Sequence, residues 1–130
     1  MKVSVVLDTS ALLGYLVSDT RSVAVGELLA TVAEDGDLTG IPALCLLTAH
    51  RKASASDRPR LWDLTEPDDG AAVVLPLLGP EVQQVAELSL RLPKHQAHAI
   101  ALAKDNGAIL ATYDRRSIAA ELAEDDILDL

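Results

Sequence analysis

The sequence predicts an α/β fold in which a mainly parallel sheet is flanked by helices. Short aliphatic runs rich in β-branched residues alternate along the chain with longer segments of helical periodicity, a pattern typical of βαβ units. The 130 residues are 49% hydrophobic but only 2% aromatic, so the core is expected to be aliphatic. A chain of this length is expected to form one domain, spanning residues 1–130.

The first half of the chain contains two predicted strands and three predicted helices. Asp8 ends the first strand, and Thr9 and Ser10 are candidates for the N-cap of the helix that follows. Gly36 is predicted to end the second helix in the left-handed conformation. In order, the elements are strand Val3–Leu7, helix Ala11–Val17, helix Arg21–Ala33, strand Leu38–Ile41 and helix Ala43–Lys52.

The second half begins with the longest predicted loop, Ala53–Gly70, in which Trp62 is expected to act as a local hydrophobic anchor. Pro76 is expected at the end of a strand, because proline cannot donate to a sheet ladder. The remaining predictions are strand Ala71–Leu75, helix Glu81–Leu90, helix Lys94–Asp105, strand Ala108–Ala111, loop Thr112–Asp114, helix Ser117–Leu122 and a short edge strand Ile127–Leu128.

Composition limits the classes of function. The net charge is −9, with 11 Lys and Arg residues in total, which disfavours extensive nucleic-acid binding but leaves room for a local basic rim. Two basic clusters provide candidate RNA contacts, at Arg51 and Lys52 and at Arg115 and Arg116. No apolar run reaches the about 20 residues of a membrane span. The single cysteine, Cys45, suits a reducing cytoplasm and is expected to be a buried hydrophobic residue.

Two carboxylates follow two of the predicted strands. Asp8 ends the first strand, and Asp114 closely follows the strand Ala108–Ala111. Because parallel strands end at one edge of a sheet, both carboxylates are predicted to face one crevice, where Mg²⁺ or Mn²⁺ would relieve their repulsion. The alternative for each residue alone is a helix cap or a turn.

The segments VVLDTSALL, GIPALCLLTAHRKA and HQAHAIALAKDNGAILATYDR resemble the PIN-domain family, and within it the VapC-like toxins of toxin–antitoxin pairs. The resemblance covers essentially the whole chain. It implies a three-layer α/β/α fold, an acidic site that binds Mg²⁺ or Mn²⁺ for RNA cleavage, a homodimer, and a cognate antitoxin that holds the toxin inactive.

Only part of the family's acidic site can be carried over to this chain. Asp8 matches the first acid and Asp114 the last, in the T-x-D element that begins at Thr112. The second and third acids fall on Thr48 and Gln96, so two of the four expected carboxylates are replaced by neutral polar residues. Ser10, close to the first acid, and Thr112 are expected to play supporting roles.

His95 and His98 flank Gln96 and lie on one side of the predicted helix. A transition-metal or acid–base site is one interpretation of this pair. The favoured one is that one histidine lies at the solvated start of the helix while the other packs against the sheet, because no cysteine or third histidine is near in sequence.

Three functions remain open at this stage. The first is an active Mg²⁺-dependent endoribonuclease toxin, and the second is a PIN-type protein whose degraded site leaves nuclease activity weak or absent. The third is a non-catalytic module that binds protein or RNA or has a regulatory role. A receiver-type signalling domain fits less well, because Asp8 stands alone after the first strand where a receiver has an acidic pair.

Overall fold

A computed structural model describes residues 1–68 and 70–130 of the chain. Its centre is a five-stranded sheet in which every neighbouring pair of strands is parallel, in the order β3-β2-β1-β4-β5. The predicted fold class is confirmed. The strands are β1 Val3–Leu7, β2 Leu38–Pro42, β3 Ala72–Leu75, β4 Ile109–Thr112 and β5 Ile127–Asp129.

Helices flank the sheet. Helices α1 and α2 pack against each other, and α6 packs against α3, α5 and the central strands β1 and β2. The helices are α1 Thr9–Leu16, α2 Thr20–Glu34, α3 Ala43–Lys52, α4 Arg58–Leu64, α5 Val82–Leu88 and α6 Lys94–Asn106, with 3₁₀ turns at Gly79–Glu81, Arg115–Ser117 and Glu124–Asp126. Within the described ranges, no helix has the length and apolar character needed to cross a membrane.

The core is aliphatic, as composition requires. The largest side chains that are completely buried include Leu7, Leu12, Ile41, Ile100 and Leu110. Burying a side chain of this size stabilises the fold by about 1.5–3 kcal/mol. These residues come from strands at the centre of the sheet and from helices α1 and α6, so the core fixes the positions of those elements around the carboxyl ends of β1 and β4.

Several predicted elements differ from the structure. The predicted loop 53–70 contains helix α4, although Asp69 of that loop lies outside the described residues. The predicted helix Ser117–Leu122 is instead a single 3₁₀ turn, Arg115–Ser117, followed by further turns. The predicted helix Glu81–Leu90 is a 3₁₀ turn followed by α5, which ends at Leu88. Trp62 is 46% exposed, and its ring lies beside the His50 ring at a centroid distance of 5.1 Å.

The ends of the helices explain several element boundaries. Asp8, rather than Thr9 or Ser10, is the N-cap of α1, and its side chain accepts a hydrogen bond from Ala11 N. Gly36 and Gly107 follow α2 and α6 with φ angles of 76° and 61°, the left-handed conformation that glycine adopts without strain.

Candidate functional site

The carboxyl ends of β1 and β4 lie side by side. Leu7 pairs with Ala111 in the sheet, and Asp8 N donates a hydrogen bond of 3.4 Å to Ala111 O. The residue after β1 and the residues at the end of β4 therefore share one edge of the sheet. Ligands of open parallel sheets bind at this edge.

Asp8 is completely buried, and four donors surround its carboxylate. One oxygen, Oδ1, accepts from Ser10 Oγ at 2.6 Å and from Ala11 N at 3.0 Å. The other, Oδ2, accepts from Thr112 Oγ1 at 2.6 Å and from Gln96 Nε2 at 3.1 Å. An ionised carboxylate has about four lone-pair positions, so its hydrogen-bonding capacity is filled by protein groups.

Gln96 lies in the first turn of α6 and is 4% exposed. Its amide nitrogen donates to Asp8 Oδ2 and to Ser117 Oγ, at 3.1 and 2.9 Å. Because an ionised carboxylate can only accept, the amide must turn its NH₂ group, and not its oxygen, towards Asp8. The residue that the sequence comparison with the family predicts at the third acid position is thus a hydrogen-bond donor to Asp8.

Thr112 and Ser10 connect this network to the loop after β4. Thr112 Oγ1 donates to Asp8 and accepts from Asp114 N at 2.8 Å. Ser10 Oγ accepts from Tyr113 N at 2.9 Å and lies 3.1 Å from Thr112 Oγ1. Both residues predicted to play supporting roles contact Asp8 directly.

A glycine makes room for this loop against α1. A methyl group added to Gly14 would lie 2.5 Å from ring atom Cε2 of Tyr113, so the ring occupies the space beside the helix backbone. The Tyr113 hydroxyl donates to Arg21 O at 2.8 Å. The tyrosine therefore fixes the loop that carries Asp114 to both α1 and α2.

Asp114 is exposed and lines a cavity of about 150 Å³. Among the described residues its carboxylate accepts no hydrogen bond, in contrast to that of Asp8. The structure thus brings the two acids to the same edge of the sheet, one buried and hydrogen-bonded and the other open to solvent. The cavity is lined by Thr9, Ser10, Leu13, Lys52, Pro93, His95, Gln96, Asp114 and Ser117.

Thr48 lies on α3, away from the Asp8 network. Its hydroxyl donates to Leu44 O, one turn earlier, at 2.9 Å. It lines a second cavity of about 410 Å³ together with Leu44, Leu47, Arg51, Lys52, Pro93, Lys94 and His95. Gln96 is therefore in the Asp8 network, whereas Thr48 contributes nothing to it.

His95 and Thr9 form a contact that the sequence did not predict. Thr9 Oγ1 and His95 Nδ1 are 2.7 Å apart, and the Cys45 thiol donates to His95 O at 3.1 Å. Burial, together with the positive charge of Lys52, lowers the pKa of His95. Burial raises the pKa of the Cys45 thiol to about 12, so the thiol is protonated and unreactive near neutral pH.

His98 is fully buried, as predicted for one of the two histidines. Its Nδ1 accepts a hydrogen bond of 3.4 Å from Leu44 N, and burial lowers the pKa of its ring. His98 is therefore a core residue, while His95, at the helix start, lines both cavities.

The donor set at this edge does not fit Mg²⁺ or Mn²⁺. Between residues 1–68 and 70–130, no three His, Cys, Asp or Glu side chains come together in a way that could hold a metal ion. Both oxygens of Asp8 are occupied by donors, and Gln96 presents hydrogens where a cation needs a lone pair. Of the described residues that line the adjoining cavity, only Asp114 offers a free carboxylate.

The predicted RNA contacts fall in two separate places. Arg51 and Lys52 are exposed at the end of α3 and line the larger cavity. Arg115 lies 3.6 Å from Glu124 in an ion pair, and Arg116 is exposed, but neither lines the two cavities. Of the two predicted basic clusters, only Arg51 and Lys52 therefore line the cavities beside the Asp8 network.

Comparison with known proteins gives structural matches only. No family model and no curated protein matches the sequence. Among solved structures, VapC20 of Mycobacterium tuberculosis, described as a toxin that cleaves the sarcin–ricin loop, is 16% identical with a TM-score of 0.71, covering 93% of this chain and 98% of that one.

Two further matches are Fit proteins. FitAcB from Neisseria gonorrhoeae is 18% identical, with a TM-score of 0.65 and coverage of 96% of both chains. FitAB bound to the IR36 DNA fragment is 17% identical, with a TM-score of 0.64, covering 96% of this chain and 94% of that one. These matches show that the chain has the fold of VapC20 and of the Fit proteins, the PIN-like fold that the sequence predicts.

Proposed function

We propose that this chain is a PIN-type protein of the toxin–antitoxin kind whose Mg²⁺- or Mn²⁺-dependent endoribonuclease activity is weak or absent, and that it acts by binding a partner protein. One observation carries the proposal. The carboxylate of Asp8, the first acid of the family pattern, is buried and saturated by four protein donors. A metal ion could bind only after displacing donors that hold β1, β4 and α6 together.

The chemistry of Gln96 supports the same conclusion. A carboxylate at this position would lie about 3 Å from Asp8 and repel it. A cation between the two carboxylates would remove this repulsion, and for that reason paired acids retain a metal ion. The amide replaces that cation with a hydrogen bond to Asp8. Stability then no longer depends on a metal, and the group that would accept a proton from water is lost.

The experiment restores the acid. Gln96→Glu keeps the size of the side chain but removes the donor to Asp8 and adds a negative charge beside it. We expect a lower Tm in EDTA and a rise in Tm on adding Mn²⁺, because only the folded variant would bind the ion. Wild-type protein should show no Mn²⁺-dependent rise. Gln83→Glu, at an exposed position on α5, is the matched control for the change in charge.

An RNA cleavage assay gives the direct readout. The proteins are incubated with a labelled single-stranded RNA of mixed sequence and Mn²⁺ or Mg²⁺. Wild-type protein should leave the RNA intact. Metal-dependent cleavage by wild-type protein that is lost in Asp114→Asn would overturn the proposal.

That outcome would favour the second candidate, an active endoribonuclease toxin. The observation on its side is Asp114, whose carboxylate is exposed in a cavity that Lys52 also lines. A phosphate group in this cavity could form an ion pair with the Lys52 ammonium group. The cavity has one free carboxylate, however, and hard cations are usually held by more than one protein ligand or by substrate phosphates as well.

The proposal extends to the setting of the protein. We place it in the cytoplasm, since its single thiol is buried and reduced, and we expect a homodimer with an antitoxin-like protein as partner. Sedimentation velocity over a range of concentrations tests the homodimer. A monomer at the highest concentration would contradict that part of the proposal.

A further inference from the structure

The two cavities beside the Asp8 network adjoin each other. Lys52, Pro93 and His95 line both of them. Together they form one groove between α3 and the first turn of α6, which we call the α3–α6 groove. The larger cavity alone, at about 410 Å³, falls within the range of ligand pockets.

The groove is positively charged in a strongly acidic protein. Arg51, Lys52 and Lys94 line it and are exposed, and in the described part of the chain none of the three takes part in an ion pair. Among the described residues that line the groove, Asp114, at the far end, is the one carboxylate. The groove is thus lined by three cationic side chains and one carboxylate, whereas the whole chain has a net charge of −9.

Between these cations the surface is aliphatic. Leu44 and Leu47 line the larger cavity, Leu13 lines the smaller one, and Leu47 is 62% exposed. Of the described residues that line the two cavities, none is aromatic apart from His95 with its imidazole ring. A ligand that covers the groove can therefore bury the aliphatic side chains and also form ion pairs with the cationic ones.

We infer that the α3–α6 groove docks an acidic, leucine-rich peptide segment of a partner protein, with aliphatic side chains on Leu44 and Leu47 and carboxylates on Arg51, Lys52 and Lys94. The inference rests on the proposed function, because it names the chemistry of the partner that this protein would bind. The charge complementarity and the aliphatic surface are the two observations that carry it.

The same observations favour a peptide over RNA. Single-stranded RNA is usually held by base stacking on aromatic side chains along a basic track, and the groove offers only one imidazole. A polynucleotide longer than the groove would also meet the repulsion of a chain whose net charge is −9, because charges interact over about 8–10 Å at physiological salt. A short acidic peptide needs complementarity in the groove alone.

A binding assay tests the inference. The probe is a short fluorescein-labelled peptide of leucine and glutamate, and the control peptide has lysine in place of glutamate. Fluorescence anisotropy should show binding of the acidic peptide and not of the basic one. The double charge reversal Arg51→Glu with Lys52→Glu should weaken binding at least tenfold. The matched control is Lys104→Glu with Arg116→Glu, which makes the same change in charge at exposed positions outside the groove and should leave affinity unchanged.

Leu47→Gln separates the apolar contribution from the charged one. It should weaken binding of the acidic peptide at high salt as well as at low salt, because burial of apolar surface is not screened by ions. An equal effect of both double reversals would show attraction to overall charge only, and would overturn the inference.

Two other occupants are distinguished in the same series. Tight binding of labelled single-stranded RNA that the groove reversal abolishes, without binding of the peptide, would make the groove a nucleic-acid site and overturn the inference. A wild-type dimer that the groove reversal converts to monomer would show that a second copy fills it. The RNA cleavage assay remains separate: cleavage by wild-type protein refutes the proposed function, whereas failure of the acidic peptide to bind refutes only the inference about the groove.

Discussion

Replacing Thr112 by valine tests whether the hydrogen bonds around Asp8 hold the fold together. The side chain is completely buried, and valine fills the same space with a methyl group in place of the hydroxyl. The substitution therefore creates no cavity. It removes the 2.6 Å donation to Asp8 Oδ2 and the acceptor for Asp114 N at 2.8 Å.

The expected cost can be worked out from these two contacts. Losing a buried hydrogen bond to a charged group costs about 1.5–3 kcal/mol, and leaving the partly buried Asp114 N–H without an acceptor adds about 1 kcal/mol. We expect a loss of about 2.5–4 kcal/mol in the free energy of unfolding. For a chain of this length that lowers the Tm by roughly 8–15 °C.

Thr39 provides a matched control for the same substitution. It lies on β2 and is 1% exposed, and its hydroxyl has no hydrogen-bond partner among residues 1–68 and 70–130. Thr39→Val removes a buried hydroxyl that makes no bond, so we expect a neutral effect or a gain of about 1 kcal/mol. Urea denaturation followed by circular dichroism measures both variants. Equal effects of the two substitutions would refute the reasoning about the Asp8 network.

Three further predictions follow from the buried polar groups. Asp8→Asn should destabilise the protein by about 2–4 kcal/mol in urea denaturation, because the amide NH₂ of asparagine would face two hydrogen-bond donors. Neutralising a strained active-site acid commonly stabilises a protein, and a variant more stable than wild type would contradict this prediction. Cys45 should resist alkylation by iodoacetamide in the native protein and react at the rate of unfolding, as mass spectrometry of the labelled protein can measure. The pKa values of His95 and His98 are lowered from 6.5 in the fold, so the unfolded state binds their protons first and stability should fall as the pH drops below about 6.5. Thermal melts across that range check the direction, and a His98→Gln variant should show a smaller decline.

Much of the fold could be predicted from local pattern. The aliphatic strand before Asp8 and the glycine after α6 are signals that act within a few residues. Helix α4 was missed because the serine, aspartate and proline of residues 53–70 indicate a loop. That helix is fixed by distant contacts: Leu61 is completely buried, and the Arg60 guanidinium donates to Leu16 O and Tyr15 O. A helix of seven residues is too short to show a hydrophobic periodicity in the sequence, so these tertiary contacts could not be predicted.

The positions of the candidate site differ in how far the sequence could predict them. Parallel strands place Asp8 and the loop after Thr112 at one edge, and this follows from topology alone. The donors that fill the Asp8 carboxylate could not be predicted, because a sequence does not show which way an amide or hydroxyl points. Ser117 gave no signal, since it lies in a three-residue turn and reaches Gln96 only through the tertiary fold. Thr9 stood beside Asp8 in the sequence, but its partner His95 is 86 residues away.

Gly14 sets where the acid of the last loop can lie. Glycine in the middle of a helix is about 0.5–1 kcal/mol less favourable than alanine, and here that loss leaves the space that the Tyr113 ring fills. A single methyl group on α1 would push the ring outward and carry the neighbouring Asp114 with it. A side chain at this helix position would therefore increase the distance between the two acids, which gives protein engineers a way to widen this edge of the sheet without altering its polar groups.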